Sequence, residues 1–332
     1  MADKAQQFKA RLSRATGLTD TAINAAWPEW WSEAADTSPS AQAELRFSLA
    51  RNLGLDPRSL FDDDAPRFMW DDSAKYKNFK GDLTQDRPAI TSFGTSISRM
   101  LLRGVTAHQS LSGVSPSTLR ESILASQPFI RLIDLLGLMW AVGVPAIHLR
   151  VHPLAAKRMC AMAVRDGERF SILLAKDSQY PASVAFHLAH EIGHIALGHI
   201  ESGSALVDMD DPAERIDEAD AEELAADRYA LELLTGDAEF NIGKDGLGGS
   251  ARQLANEVLR VGPANRIEPG TLALCYGHVT KEWATVQAAM PHIYSDPIPA
   301  WSVTNKIAKS QLDWNSISDE NGSFLRAVMG GI

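Results

Sequence analysis

Apolar positions along the 332-residue chain change their period several times, and the changes divide it. In AQAELRFSLARNLGLDPRSLF, Leu45, Leu49, Leu53 and Leu55 keep roughly helical spacing up to Gly54, so residues 1–65 read as a module of short helices. An acidic cluster, Asp62, Asp63 and Asp64, follows, and then Trp70 and DDSAKYKNFKGDLTQDRP, with few periodic apolar positions. Residues 66–91 therefore read as a linker. Helical spacing returns over 93–143, where Ser115, Pro116, Ser117 and Thr118 precede Leu119, Ile123, Ile130, Ile133 and Leu136. Three short runs, 146–151, 160–164 and 170–175, are separated by Pro153 and by Asp166-Gly167. They read as strands, the last two as a hairpin. Residues 182–199 then predict a helix with histidines at helical spacing. After an acidic loop, 217–234 predict a second helix that stops before Gly236. The reading is an α+β domain over 92–240 and a Gly- and Pro-punctuated helical extension over 241–332, helical around 254–261 and 280–290. No internal repeat is visible.

Composition narrows the class. Hydrophobic residues at 45% and charged residues at 22% are ordinary for a globular protein. The formal charge of -10 and the lack of a basic run argue against nucleic acid as partner of the whole chain. Residues 132–151 are the most apolar stretch, but Asp134, Pro145 and His148 interrupt it, which predicts a buried helix and strand and no membrane span. Cys160 and Cys275, each in an apolar setting, read as two buried thiols in a reducing cytosol. MADKAQQFKARLSR lacks the apolar core of a secretory signal, and the expected location is the cytoplasm.

The chemistry gathers in FHLAHEIGHIALGH. His190 and His194 are four apart, so on a helix both rings leave one face and can grip one ion, for which zinc is the expected choice and manganese an alternative. Glu191 sits beside the first histidine as the general base, and zinc lowers the pKa of a water it binds to about 7. A further histidine in an HExxHxxGxxH pattern is excluded, because Leu197 stands at the glycine position and Ile200 at the last histidine. The third ligand then comes from the next helix. Glu223 is followed four residues later by Asp227, which puts both on one face, the first to bind metal and the second to orient a histidine. Glu222 and Glu218 are alternatives in a stretch, 208–223, that carries nine acids against Arg215. His187, three before His190, shares the metal face and either contacts substrate or packs. Tyr229, His278 and His292 are available to stabilise an oxyanion.

These residues resemble the ImmA/IrrE family of metallopeptidases. FHLAHEIGH is similar to the family's FTLAHELGH, and AADRYALELLTG to its EANRFAAELLMP; the likeness covers about 146–236. It implies an α+β fold with a zincin-like core, metal ligands His190, His194 and Glu223, and Glu191 as base. Asp227 falls where the family commonly has asparagine. Three positions depart: His187 replaces a threonine, Ala185 stands where arginine is frequent, and Ala225 stands where a second glutamate is common. The implied substrate is a protein, commonly a helix-turn-helix repressor of stress, phage or mobile-element genes.

LARNLGLDPRSLF is similar to the closing helix and turn of an XRE-type helix-turn-helix domain. Where that domain reads DNA, this chain has AINAAWPEWWSEAAD, with Pro28 breaking the helix and Trp27, Trp30 and Trp31 beside it. Residues 1–65 carry seven Lys or Arg against ten acids, a poor balance for phosphates. The module reads as degenerate and suited to protein, its tryptophans either a recognition patch or a small aromatic core. Two rival readings stay open: a DNA-binding or antitoxin-like regulator with a zincin-like sensor domain, and an inactive peptidase fold that binds a partner.

Overall fold

Alternating side chains in five short strands build a sheet whose centre is buried on both faces. In the computed structural model these are β1 (Ala74–Lys77), β2 (Ala146–His148), β3 (Ala161–Asp166), β4 (Arg169–Leu174) and β5 (Ala205–Asp208), in the order β1-β5-β3-β4-β2. The structure describes residues 4–331 apart from 33, 62–64, 71–72, 78–85, 156–158, 210–220 and 243–248. β3 and β4 form the expected hairpin, Asp166 opposite Arg169, turned at Gly167, whose φ of 62° suits glycine. β1 and β5 are parallel, as are β2 and β4, and β5 runs antiparallel to β3.

Thirteen α-helices are found among the described residues. They are α1 (Lys4–Thr16), α2 (Asp20–Ala26), α3 (Pro39–Leu53), α4 (Arg87–Arg103), α5 (Pro116–Leu124), α6 (Leu132–Val142), α7 (Pro181–Leu197) and α8 (Ala221–Thr235), then α9 (Ala251–Ala264), α10 (Pro269–Thr280), α11 (Trp283–Ile293), α12 (Ala300–Gln311) and α13 (Asp319–Val328). Local chemistry sets their ends. Ser38 caps α3 through Ala41 N, Pro39 opens it, and Gly54 closes it at φ 72°. Ser115 caps α5 in the same way through Thr118 N.

Odd and even strand positions go to different partners. Ala161, Ala163, Ile172, Leu174 and Leu206 join the buried cluster that holds apolar residues of α5 to α8. Met162, Val164, Leu173, Ala205 and Val207 join the cluster that holds Leu12, Ile23, Leu49 and Leu53 of α1 to α3, Phe93 of α4 and Phe324 of α13. A third, smaller cluster lies within α9, α10 and α11.

Differences from the expected elements come from short strands with polar residues. The 66–91 stretch, read as a linker, supplies β1 and the start of α4. In AKYK the two lysines mask a strand of four residues. The acidic loop expected before α8 begins with β5. The expected start of the second helix at Asp217 lies outside the described residues, and α8 is described from Ala221. α10 was not foreseen, and the helix around 280–290 runs over Trp283–Ile293. Cys160 and Cys275 are both buried, and neither is in a disulfide among the described residues. Among the described residues no helix is long and apolar enough to cross a membrane. Phe8, Trp27 and Trp31 pack against the cluster that holds α1 to α3, with Trp27 and Trp31 edge to face at 5.8 Å, while Trp30 is 40% exposed.

Candidate metal centre

Two helices and one strand carry the centre. α7 enters through Pro181 in its first turn and ends at Gly198, whose φ of 75° turns the chain back. Its middle is wholly buried, His190, Glu191 and His194 all at 0% exposure. α8 packs along it. A Cβ added at Gly193 would stand 3.1 Å from Tyr229 Cβ and 3.2 Å from the Ala226 carbonyl oxygen, so this glycine lets the helices approach. The approach brings Glu223, 1% exposed, to the two histidines.

His190 Nε2 and His194 Nε2 are 2.9 Å apart. Glu223 lies 3.3 Å from His194 Nε2 through Oε1 and 3.7 Å from His190 Nε2 through Oε2. One donor atom from each of the three falls within 4.8 Å of the others, as a shared metal ion requires. Tetrahedral zinc with bonds of about 2.0–2.1 Å separates its ligands by about 3.3 Å, and the three spacings straddle that edge. The far nitrogen of each ring is held as well. His190 Nδ1 is 2.8 Å from Asp227 Oδ1, and His194 Nδ1 is 2.8 Å from His199 Nδ1. Such outer partners turn the lone pairs of the Nε2 atoms inward. Burial and the neighbouring His194 hold the His199 pKa below its usual value, which suits a neutral acceptor.

Charge points the same way. Burial alone would lower the His190 pKa, yet Asp208, Asp227 and Glu223 hold it well above the usual value. Burial alone would raise the Glu223 pKa, yet hydrogen bonds from His190 and His194 hold its carboxyl far below the usual range. Glu191, Asp208 and Glu223 are carboxyl groups with at most 1% exposure beside two imidazoles, a set that a buried cation would balance.

The other sequence candidates separate. Glu222 turns to β1, where Lys77 Nζ is 2.8 Å and Lys75 Nζ 3.9 Å away. Glu218 lies outside the described residues. The Tyr229 hydroxyl donates to the Val114 carbonyl at 2.9 Å and is not brought to the metal group. His292 is exposed on α11. His187 and His278 line a cavity of about 850 Å³ with Asp227, Phe186, Leu231 and Trp283. Because Asp227 belongs both to that cavity and to the His190 contact, the cavity adjoins the centre. His199 and Asp208 were missed as partners of the centre: the first lies just beyond the α7 cap, and the second sits in an acidic run.

The model of the Peptidase U49 family matches residues 168–287, about a third of the chain. The matched stretch runs from the β3–β4 turn through α7, β5 and α8 into α11, so it contains the whole centre and most of the cavity wall. No curated protein and no solved structure matches the chain.

Proposed function

We propose that the chain is a metal-dependent endopeptidase of the HExxH…E type with a zincin-like core, holding zinc, or manganese in its place, through His190, His194 and Glu223. The observation that carries this reading is the mutual approach of those three side chains, with Asp227 and His199 behind the rings, inside a stretch that matches a peptidase family. A zinc ion there would supply Lewis-acid polarisation of the scissile carbonyl and of a water. The chain's own groups do the rest. Glu191, fully buried next to His190, takes the proton of the attacking water and passes it to the departing amine. Asp227 fixes the His190 ring and His199 the His194 ring, so neither has to reorganise during the reaction. His187 and His278, on the cavity wall near Asp227, are the candidates to touch substrate, and the apolar wall suits a polypeptide segment.

The substrate in this reading is a protein, with a helix-turn-helix repressor in a stress, phage or mobile-element response as the target suggested by the family resemblance. α1 to α3 then serve as a protein-binding module and not as a DNA reader, and the setting is the cytoplasm. The test is Glu191→Gln, assayed on a proteome-derived peptide library and by zinc content. The expected result is cleavage by the native chain, none by the variant, and one zinc in each. Equal cleavage by both overturns the reading.

A further inference from the structure

The helices that meet at the metal group also build the cavity beside it. Asp227 meets His190 and Glu223 meets His194, so α7 and α8 run antiparallel past one another. Their next turns away from that group, Ser183, Phe186 and His187 on α7 and Leu231 and Leu234 on α8, stand on the wall of the cavity of about 850 Å³. Thr271, Leu274, Cys275 and His278 give a further wall from one face of α10. That wall has a direction. Burial and then Lys281 hold the His278 pKa below its usual value while Asp227 opposes them, which sets His278 at the end near His190. Glu268 caps α10 by accepting from Thr271 N, and it also accepts from the Tyr294 hydroxyl at 2.7 Å. Tyr294 stacks on Tyr180 at 5.6 Å, just ahead of α7, so Thr271 lies at the end far from the metal group. At 1.5 Å per helical residue, Thr271 and His278 are about 10 Å apart along α10.

Thr271 is 4% exposed, and its Oγ1 has no hydrogen-bond partner among the described residues. A buried hydroxyl gains from meeting a polar group of whatever fills the cavity. Between the two ends the wall is Phe186, Leu231, Leu234, Leu274 and Met290, against which a charged group would lose its water without return. One residue of extended chain covers about 3.5 Å of the length, and a long side chain covers the remainder. All of these wall residues except Met290 fall within the stretch 168–287 that matches a peptidase family.

Resting on the metallopeptidase reading above, we propose that the cavity is the specificity subsite of the peptidase and takes a tyrosine or tryptophan side chain of the substrate, within two residues of the cleaved bond. The ring lies along the apolar wall, and its polar tip meets Thr271 Oγ1. A site that hydrogen-bonds such a tip discriminates against the analogue that lacks it, which separates tyrosine from phenylalanine.

The experiment uses the full chain with zinc. A cleaved bond is first located in a proteome-derived peptide library, and peptides are then made that differ only in carrying Tyr, Trp, Phe, Ala or Asp at one of the two positions on either side of it. At one position kcat/KM is expected to be at least tenfold higher for Tyr or Trp than for Phe, and at least a hundredfold higher than for Ala or Asp. Thr271→Val is expected to bring the preferred residue and Phe to near equality. Leu231→Trp, which fills the cavity, is expected to lower the ratio of the preferred residue to Ala at least tenfold, with one zinc still bound in each variant. A native chain that cuts without preference for Tyr or Trp at these positions overturns the subsite and leaves the metallopeptidase reading standing. An unchanged ratio in either variant does the same. A native chain that holds no zinc, or that cuts no peptide, overturns the metallopeptidase reading and the subsite with it. Leu231→Phe, assayed in the same way, decides the matter if the tryptophan variant does not fold.

Discussion

One face of the sheet meets α7 and α8 and holds Glu191, Asp208 and Glu223 with His190 and His194 in its interior; the other meets α1 to α4 and α13 through apolar side chains. Both faces are equally dry, so burial does not distinguish them. The difference lies in what was buried. On the second face Phe93 and Phe324 stack edge to face at 6.1 Å, an arrangement that contributes only cohesion. On the first face, carboxylates and imidazoles are kept from water beside one another, at a desolvation cost that apolar packing does not incur. If the proposed function holds, a change on the face with the candidate metal centre should remove function and spare stability, and a change on the other face should do the reverse.

The largest expected effect is on the face of the candidate metal centre. Glu191→Gln should lower cleavage by about 10²- to 10⁴-fold, the range for losing a general base, with zinc retained and the melting temperature unchanged or raised. A melting temperature that fell with activity would make Glu191 structural. On the opposite face, Phe93→Ala should cost about 3–5 kcal/mol in chemical denaturation, since a residue 1% exposed leaves a cavity that its neighbours cannot fill. Zinc affinity measured below the transition should stay at the native value, and a loss of affinity would show that the two faces are coupled. Between these stands Asp227→Asn. It keeps the volume and removes the charge behind His190, so zinc affinity should fall about 10- to 100-fold with little change in unfolding.

The same contrast explains what could be read in the sequence. His190 and His194 stood out because their pairing needs only one turn of helix, and Glu223 because Asp227 repeats that spacing on α8. The hairpin was legible from Asp166-Gly167. Asp208 was not, because it reaches His190 through the pairing of β5 with β1 and β3, and its acidic neighbours look like a solvated run. His199 lies just past Gly198, where the positive φ brings the chain back under His194, a return that helical periodicity does not describe. Strands buried on both sides read as plain apolar runs, so their sequence could not assign α1 to α3 to one face and α7 to the other. The family match stops at 287 and begins at 168, and α1 to α6, α12 and α13 lie outside it.

The smallest expected effect tests the edge where β1 meets α8. Lys77 Nζ is 2.8 Å from Glu222, and the two side chains are 11% and 38% exposed. The hydrogen bond from Lys77 comes first among the causes that hold the Glu222 carboxyl below its usual pKa. A depressed carboxylate stabilises the fold above its unfolded pKa, and that contribution is lost as the pH falls through the folded value. Lys77→Ala should then cost no more than about 1 kcal/mol near neutral pH, because water and salt screen so open a pair. The difference from native should shrink in 1 M salt and vanish in acid below the ordinary carboxylate range. Because Glu222 faces the lysines and Glu223 the histidines, zinc affinity should not change. A gain in affinity on freeing Glu222 would mean that this carboxylate competes for the ion, and the division between the two neighbouring acids would have to be redrawn.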